Sequence, residues 1–181
     1  MKQDEEGRNQ ILEFAKEILN GDKTNREAHA AKVYFNLLMG TSFSRGNENI
    51  LLNSALDYGY AVLRSYIARA CVGYGLNTQI GIHHKNELNN FNLADDFIEA
   101  FRPSIDLWTA QNVSLKDEFS SEIRRKLVDL LNYEVIIAGK RQAVLNAINV
   151  MLSSFTTSIQ LKDYNKLLVP RVVPLERHIY G

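Results

Sequence analysis

The chain has one cysteine, Cys71, among 181 residues, which excludes an intrachain disulfide and any zinc site built on thiolates. No apolar run approaches the roughly 20 residues that a membrane-spanning helix needs. The N-terminal stretch MKQDEEGRNQ is acidic and polar, unlike a secretory signal. Charge of either sign is not in excess: 21 Lys and Arg stand against 21 Asp and Glu. A balanced chain has no field of its own to gather polyanions, so a nucleic acid would have to meet a local basic face. These absences describe a soluble, cytoplasmic protein without a membrane partner. A hydrophobic content of 45% is enough for one sizeable core.

What is present is helical periodicity. Glu5 to Leu19 carries Ile11, Leu12, Phe14, Ala15, Ile18 and Leu19 on one stripe and stops at Gly21. Thr24-Asn25-Arg26-Glu27 reads as a capping box, with Thr24 at N-cap and Glu27 at N3, opening a second helix that ends at Gly40. Asn49 to about Tyr74 is the longest periodic segment, apolar around much of its circumference, and is expected to be the central helix of a bundle. Gly59 within it suits close approach of a neighbouring helix. Residues 77–90 are polar and aperiodic and form a loop. A helix capped by Asn92 is expected over Asp95 to Phe101, stopped by Arg102-Pro103. Pro103 opens the next helix, Ser114 and Asp117 cap another, and a last long helix covers Val144 to Ile159. Tyr133 to Ile137, the turn Ala138-Gly139 and Lys140 to Gln142 predict a β-hairpin. The tail, with Pro170 and Pro174, is expected to be extended. The expected fold is mainly α: a single helical-bundle domain over residues 1–165, with a small hairpin near 133–142 and a tail over 166–181.

Chemistry concentrates in GIHHKNELNNFNLADDFIEAFRP. His84 precedes a short helix in which Asp96 and Glu99 stand three residues apart and therefore share a face. Carboxylate oxygens with an imidazole nitrogen make a mixed hard site suited to Mn²⁺ or Mg²⁺. Each residue also has a structural reading. Glu27 at N3 and Asp95 and Asp96 in a first turn favour a helix dipole, and a loop histidine is ordinarily solvated. Glu99 lies beyond the first turn among Phe97, Ile98 and Phe101, where an unpaired carboxylate would be costly to bury. Arg102 is close enough in sequence to neutralise it.

Three stretches taken together, TNREAHAAKVYF, NSALDYGYAVLRSYIARA and GIHHKNELNNFNLADDFIEAFRPSIDLW, resemble one family over nearly the whole chain. They are similar to the catalytic domain of the CRISPR-associated integrase "Cas-one", in the form found in type II systems. The resemblance implies a metal-dependent DNA endonuclease and integrase of spacer acquisition that inserts protospacer DNA into the CRISPR array. It implies double-stranded DNA as substrate, a homodimer in full-length members, a small "Cas-two" partner and a prokaryotic cytoplasm. The family's glutamate falls on Glu27, its histidine on His84 and its last carboxylate on Glu99, as ligands of Mn²⁺ or Mg²⁺; Asp96 matches an additional acidic position. Full-length members begin with a β-rich domain that has no counterpart here, so the sequence is expected to be a piece of a longer protein.

Arg64, Arg69, Lys85 and Arg102 are the expected contacts to DNA phosphates, with Tyr58 or Tyr60 available to stack on bases. The competing class is a non-catalytic helical DNA-binding or assembly module whose carboxylates are caps, or an inactive fragment.

Overall fold

A computed structural model describes residues 2–17, 26–46, 51–114 and 118–180. They form seven α-helices, two short 3-10 turns and a three-stranded antiparallel sheet, a mainly α fold as the periodicity predicts. The chain divides into two compact units, Met1–Asn49 and Ile50–Gly181. No helix among the described residues is long and apolar enough to cross a membrane.

The first unit is a helix pair, α1 (Lys2–Glu17) and α2 (Arg26–Met39). They approach closely at Gly7, where an added Cβ would lie 2.6 Å from a Leu37 methyl. Phe14 of α1 meets the His29 ring at 6.3 Å and the Arg26 guanidinium at 5.7 Å. Phe35, the buried residue of α2, stacks with Phe43 of the following loop at 5.4 Å. Gly40 ends α2 with φ +92°, a left-handed terminator that glycine adopts without steric cost. Thr24 and Gly21, expected to cap and to terminate, lie outside the described residues.

The second unit is built around α3 (Leu51–Gly73), which packs on α4 (Asn92–Ile98), α5 (Arg102–Asn112), α6 (Ser121–Asp129) and α7 (Val144–Leu161). Ala55, Leu56, Ile67 and Cys71 of α3 are 0% exposed, which bears out the expected central helix. Burial pushes the Cys71 thiol up to about 11, so this cysteine is an inert core residue. Gly59 sits where three helices converge: a Cβ there would lie 2.5 Å from Ile105 Cγ2 of α5 and 3.4 Å from Leu127 of α6.

Two helix starts differ from expectation. Asn92 is the first residue of α4, not its cap, because its side chain is committed to the preceding loop. The cap of α6 is Ser120, whose hydroxyl accepts the Ile123 N–H at 3.3 Å, in place of Ser114. Helix α4 also ends at Ile98, three residues short of Phe101, and Arg102 already opens α5 with Pro103 behind it. The helix break therefore falls between Glu99 and Phe101, ahead of Arg102-Pro103.

The hairpin forms as read, with β1 (Tyr133–Ile137) and β2 (Lys140–Ala143) joined by Ala138 at φ 52° and Gly139 at φ 73°. Positive φ at both central residues matches the right-handed strand twist. The tail adds a third strand, β3 (Arg171–Arg177), giving the order β2-β1-β3. Pro174 lies where the β1–β3 register shifts between Tyr133 and Val135, as an edge strand with a missing N–H donor requires. Val135 and Ile137 are buried in β1, which packs on α7, the helix that follows β2 directly.

Gly59→Ala is the sharp test of this packing. Alanine gains about 1 kcal/mol of helix propensity, whereas a methyl forced against Ile105 costs about 1–3 kcal/mol. The expected net loss is about 1 kcal/mol, read as a lower urea midpoint with an unchanged m-value.

Candidate functional site

The loop over residues 77–90 is held by asparagines. Asn77 Oδ1 accepts the Gln79 N–H at 3.0 Å, Asn86 Oδ1 the Leu88 N–H at 3.0 Å and Asn89 Oδ1 the Phe91 N–H at 3.0 Å. These side chains imitate backbone turns, as short amides do. Asn92, 3% exposed at the head of α4, ties both ends of the loop. Its Nδ2 donates to the carbonyls of Gln79 at 3.0 Å and Asn86 at 2.8 Å, and its Oδ1 accepts from Asn89 Nδ2 at 3.2 Å.

Asp96 sets the direction of His84. Its carboxylate receives three consecutive backbone N–H groups, from Ile82, from His83 at 3.2 Å and from His84 at 3.0 Å. It also meets His84 Nδ1 at 2.7 Å. Burial works to raise the Asp96 carboxyl, but the His84 backbone and ring and the Ile82 and His83 N–H groups together hold it below the usual range. Ionised Asp96 can only accept, so His84 carries its proton on Nδ1, and the lone pair of Nε2 is left available to a ligand. The Asp96 side chain is 7% exposed and that of His84 40%. Gly81 makes this cradle possible, because a Cβ there would collide with the His84 carbonyl and lie 3.0 Å from Asp96 Oδ2.

His84 and Glu99 line one open cavity of about 370 Å³, together with Arg64, Arg102, Tyr60 and Asp57. The cavity wall from α3 is a single helical face: Asp57, Tyr60, Ala61 and Arg64 follow the i, i+3, i+4, i+7 spacing. Glu99, with a 52% exposed side chain, pairs with Arg102 Nη1 at 2.8 Å. Arg102 in turn lies over the Tyr60 ring at 4.6 Å. Of the two readings of Arg102, the ion pair with Glu99 is the one formed.

The remaining expected residues divide clearly. Arg64 donates to Asp95 at 2.7 Å and to Asn89 at 2.9 Å and lies over Phe91 at 4.8 Å, so it braces the loop as well as facing the cavity. Arg69 packs over Tyr66 at 5.6 Å and does not line the cavity. Lys85 is exposed and borders a second depression on the other side of His84. Asp96 and Glu99 do not point together, despite their spacing: Asp96 turns under the loop and Glu99 towards Arg102. Glu27 is an exposed residue in the first turn of α2, in the first unit.

Within the second unit, no three His, Cys, Asp or Glu side chains converge among the described residues. The second unit therefore offers a pair of donors, His84 Nε2 and the Glu99 carboxylate. Their N and O chemistry fits a hard divalent cation completed by a further carboxylate and water. Gly81, Asp57 and Asp106 were not singled out from the sequence, and Asn92 was read only as a helix cap. Of these only Asp57 left a readable trace, a polar stripe on an otherwise apolar helix.

Asp96→Asn tests the cradle. Loss of the charge-assisted bonds is expected to destabilise the protein by about 1–3 kcal/mol at neutral pH. The lowered folded-state pKa means this stability is present above the ordinary carboxylate value of about 4 and is lost as pH falls through the lower folded value. Denaturation of wild type and variant should therefore differ at pH 7 and converge at strongly acid pH.

Residues 9–122, more than half of the chain, match the family described as CRISPR associated protein Cas1, and this stretch holds Glu27, His84, Asp96 and Glu99. The chain is 41% identical over 170 residues to a CRISPR-associated endonuclease Cas1 of Neisseria meningitidis serogroup C, covering 92% of this chain and 56% of that one. It is 29% identical over 150 residues to CRISPR-associated endonuclease Cas1 1 of Francisella tularensis subsp. novicida, covering 76% of this chain and 45% of that one. A CRISPR-associated endonuclease Cas1 1 of Pyrobaculum aerophilum is 34% identical over 84 residues, 45% of this chain and 28% of that one. The chain spans about half the length of the first two of these curated relatives. With the match running through every part of the His84 site, the chain belongs to the CRISPR-associated Cas1 family.

Proposed function

We propose that this chain is the catalytic part of a metal-dependent DNA endonuclease and integrase of CRISPR adaptation. It acts on double-stranded DNA in the prokaryotic cytoplasm, alongside a second copy of the family's protomer and the small "Cas-two" partner. The observation that carries the reading is the Asp96–His84 pair at 2.7 Å, which fixes the imidazole in a cavity shared with Glu99 and two arginines. The names of the relatives agree with nuclease chemistry.

Glu27, His84 and Glu99 are the proposed ligands of Mn²⁺ or Mg²⁺. Two carboxylates and a neutral imidazole balance the charge of a dication. Once bound, the cation supplies Lewis-acid polarisation of a phosphodiester. The reaction class is transesterification by a DNA 3′-hydroxyl, or hydrolysis by water. Asp96 holds the His84 proton on Nδ1 and so keeps Nε2 basic. Arg64 and Arg102 supply fixed positive charge at the cavity wall, where backbone phosphates would lie. Arg69 and Lys85, both exposed, extend that contact outside the cavity.

A non-catalytic module with capping carboxylates is the alternative, and the satisfied state of Asp96 and Glu99 suits it equally well. Metal titration separates the two. His84→Ala and Glu99→Ala are each expected to abolish the Mn²⁺-induced thermal shift and to lower branched-DNA cleavage by more than about 100-fold. Asp96→Asn should lose about 10- to 100-fold in Mn²⁺ affinity. An undiminished metal response in both His84→Ala and Glu99→Ala would establish the capping reading.

A further inference from the structure

One group of contacts below the cavity plays no part in the chemistry above. Asp106 of α5 is 3% exposed, and its carboxylate accepts a hydrogen bond from the Tyr60 hydroxyl of α3. A carboxylate so buried is costly unless it is held by a donor. Burial, and then the Asp106 charge, push the Tyr60 phenol well above its ordinary value, so the hydroxyl stays protonated and keeps donating. A phenol that donates to a carboxylate has a more electron-rich ring. On that ring lies Arg102, 4.6 Å from the centroid. The guanidinium is thus held twice by Tyr60, against its ring and by a hydrogen bond to its side chain, which the phenolic oxygen accepts all the better for donating its own proton to Asp106. Its Nη1 is spent on Glu99, at 2.8 Å.

The two anchors of Arg102 differ in permanence. Tyr60 is fixed from below by buried Asp106. Glu99 is half in solvent, where an ion pair is screened and exchanges readily. A divalent cation would outcompete a guanidinium for the Glu99 carboxylate. The Nη1 end would then be free over the cavity while the guanidinium stayed seated on Tyr60, and guanidinium N–H donors match the oxygens of a phosphodiester.

We propose that Arg102 is an exchangeable guanidinium: it holds Glu99 until a divalent cation takes that carboxylate, then turns its N–H fork to a DNA phosphate. Tyr60 and Asp106 are the positioning pair that keeps it seated during the exchange. The inference rests on Glu99 being a metal ligand. Metal loading and DNA binding are thereby coupled, and the phosphate contact is withheld until the cation is in place.

The test is Mn²⁺ titration by calorimetry without DNA, followed by DNA binding across a salt series with and without Mn²⁺. Circular dichroism melting serves as the folding control. Arg102→Gln is expected to bind Mn²⁺ about 2- to 5-fold tighter, because the competitor for Glu99 is gone. With Mn²⁺ its salt slope for DNA should fall by about 1 relative to wild type, and without Mn²⁺ the fall should be clearly smaller; an equal fall in both conditions overturns the exchange. Tyr60→Phe keeps the ring and loses the hydroxyl's bonds to Asp106 and Arg102; it should lose part of the Mn²⁺-dependent gain in DNA affinity. Arg102→Lys, a second variant should the first fold poorly, keeps the charge and is expected to retain the salt slope. Unchanged or weaker Mn²⁺ binding by Arg102→Gln overturns the exchange. Glu99→Gln separates the two failures. If it binds Mn²⁺ as wild type does, the ligand assignment itself falls; if it binds weakly while Arg102→Gln is not tighter, only the exchange falls.

Discussion

The carboxylate of Asp96 is the anchor on which the site depends. Three successive loop N–H groups and the His84 ring converge on it, so one buried charge fixes the loop backbone and the imidazole at once. A loop of this polarity has no apolar face to bury, and its order must come from hydrogen bonding. Asp96 supplies the charged centre and the asparagines 77, 86, 89 and 92 supply the turns around it. Gly81 leaves room for the backbone to approach the carboxylate. Without Asp96, His84 would keep its residue type but lose its tautomer and direction.

The second constraint is the double character of α3. Its core face packs Leu56, Leu63 and Ile67 against the surrounding helices, and Gly59 lets α5 come close enough for Asp106 to reach Tyr60. The stripe flanking that face, Asp57, Tyr60 and Arg64, forms a wall of the cavity. Packing and chemistry are therefore coupled through the α3–α5 distance. Each arginine at the wall is shared between a carboxylate and an aromatic face: Arg64 between Asp95 and Phe91, Arg102 between Glu99 and Tyr60. The cavity holds positive charge at fixed places without a net positive chain.

Much of the fold was legible because its signals are local. The period of α3, the Ala138-Gly139 turn and the Gly40 stop each depend on residues within a few positions of one another. The third strand was harder to read, since Pro170 and Pro174 speak against a strand and only pairing with β1 makes one. Asn92 and Ser114 were misread as caps for a related reason. Asparagine and serine at a helix start have several possible acceptors and donors, and distant carbonyls, here those of Gln79 and Asn86, decided which Asn92 took. In the site, His84 and Glu99 were recognisable by residue type and family likeness. Spacing alone aimed Asp96 and Glu99 at a common point, but each carboxylate turns to the donors nearest it, Asp96 to the loop N–H groups and the His84 ring and Glu99 to Arg102.

By itself the sequence determined the helical class, the order of elements, the loop that carries His84 and the family to which the chain belongs. These follow from periodicity, turn chemistry and motif order, which are written along the chain. Tertiary structure alone decided the partners: Asp96 beneath His84, Arg102 on Glu99 and Tyr60, Asp106 under Tyr60. Those pairings join residues up to 46 positions apart, and a charged side chain takes whichever partner the packing brings within reach.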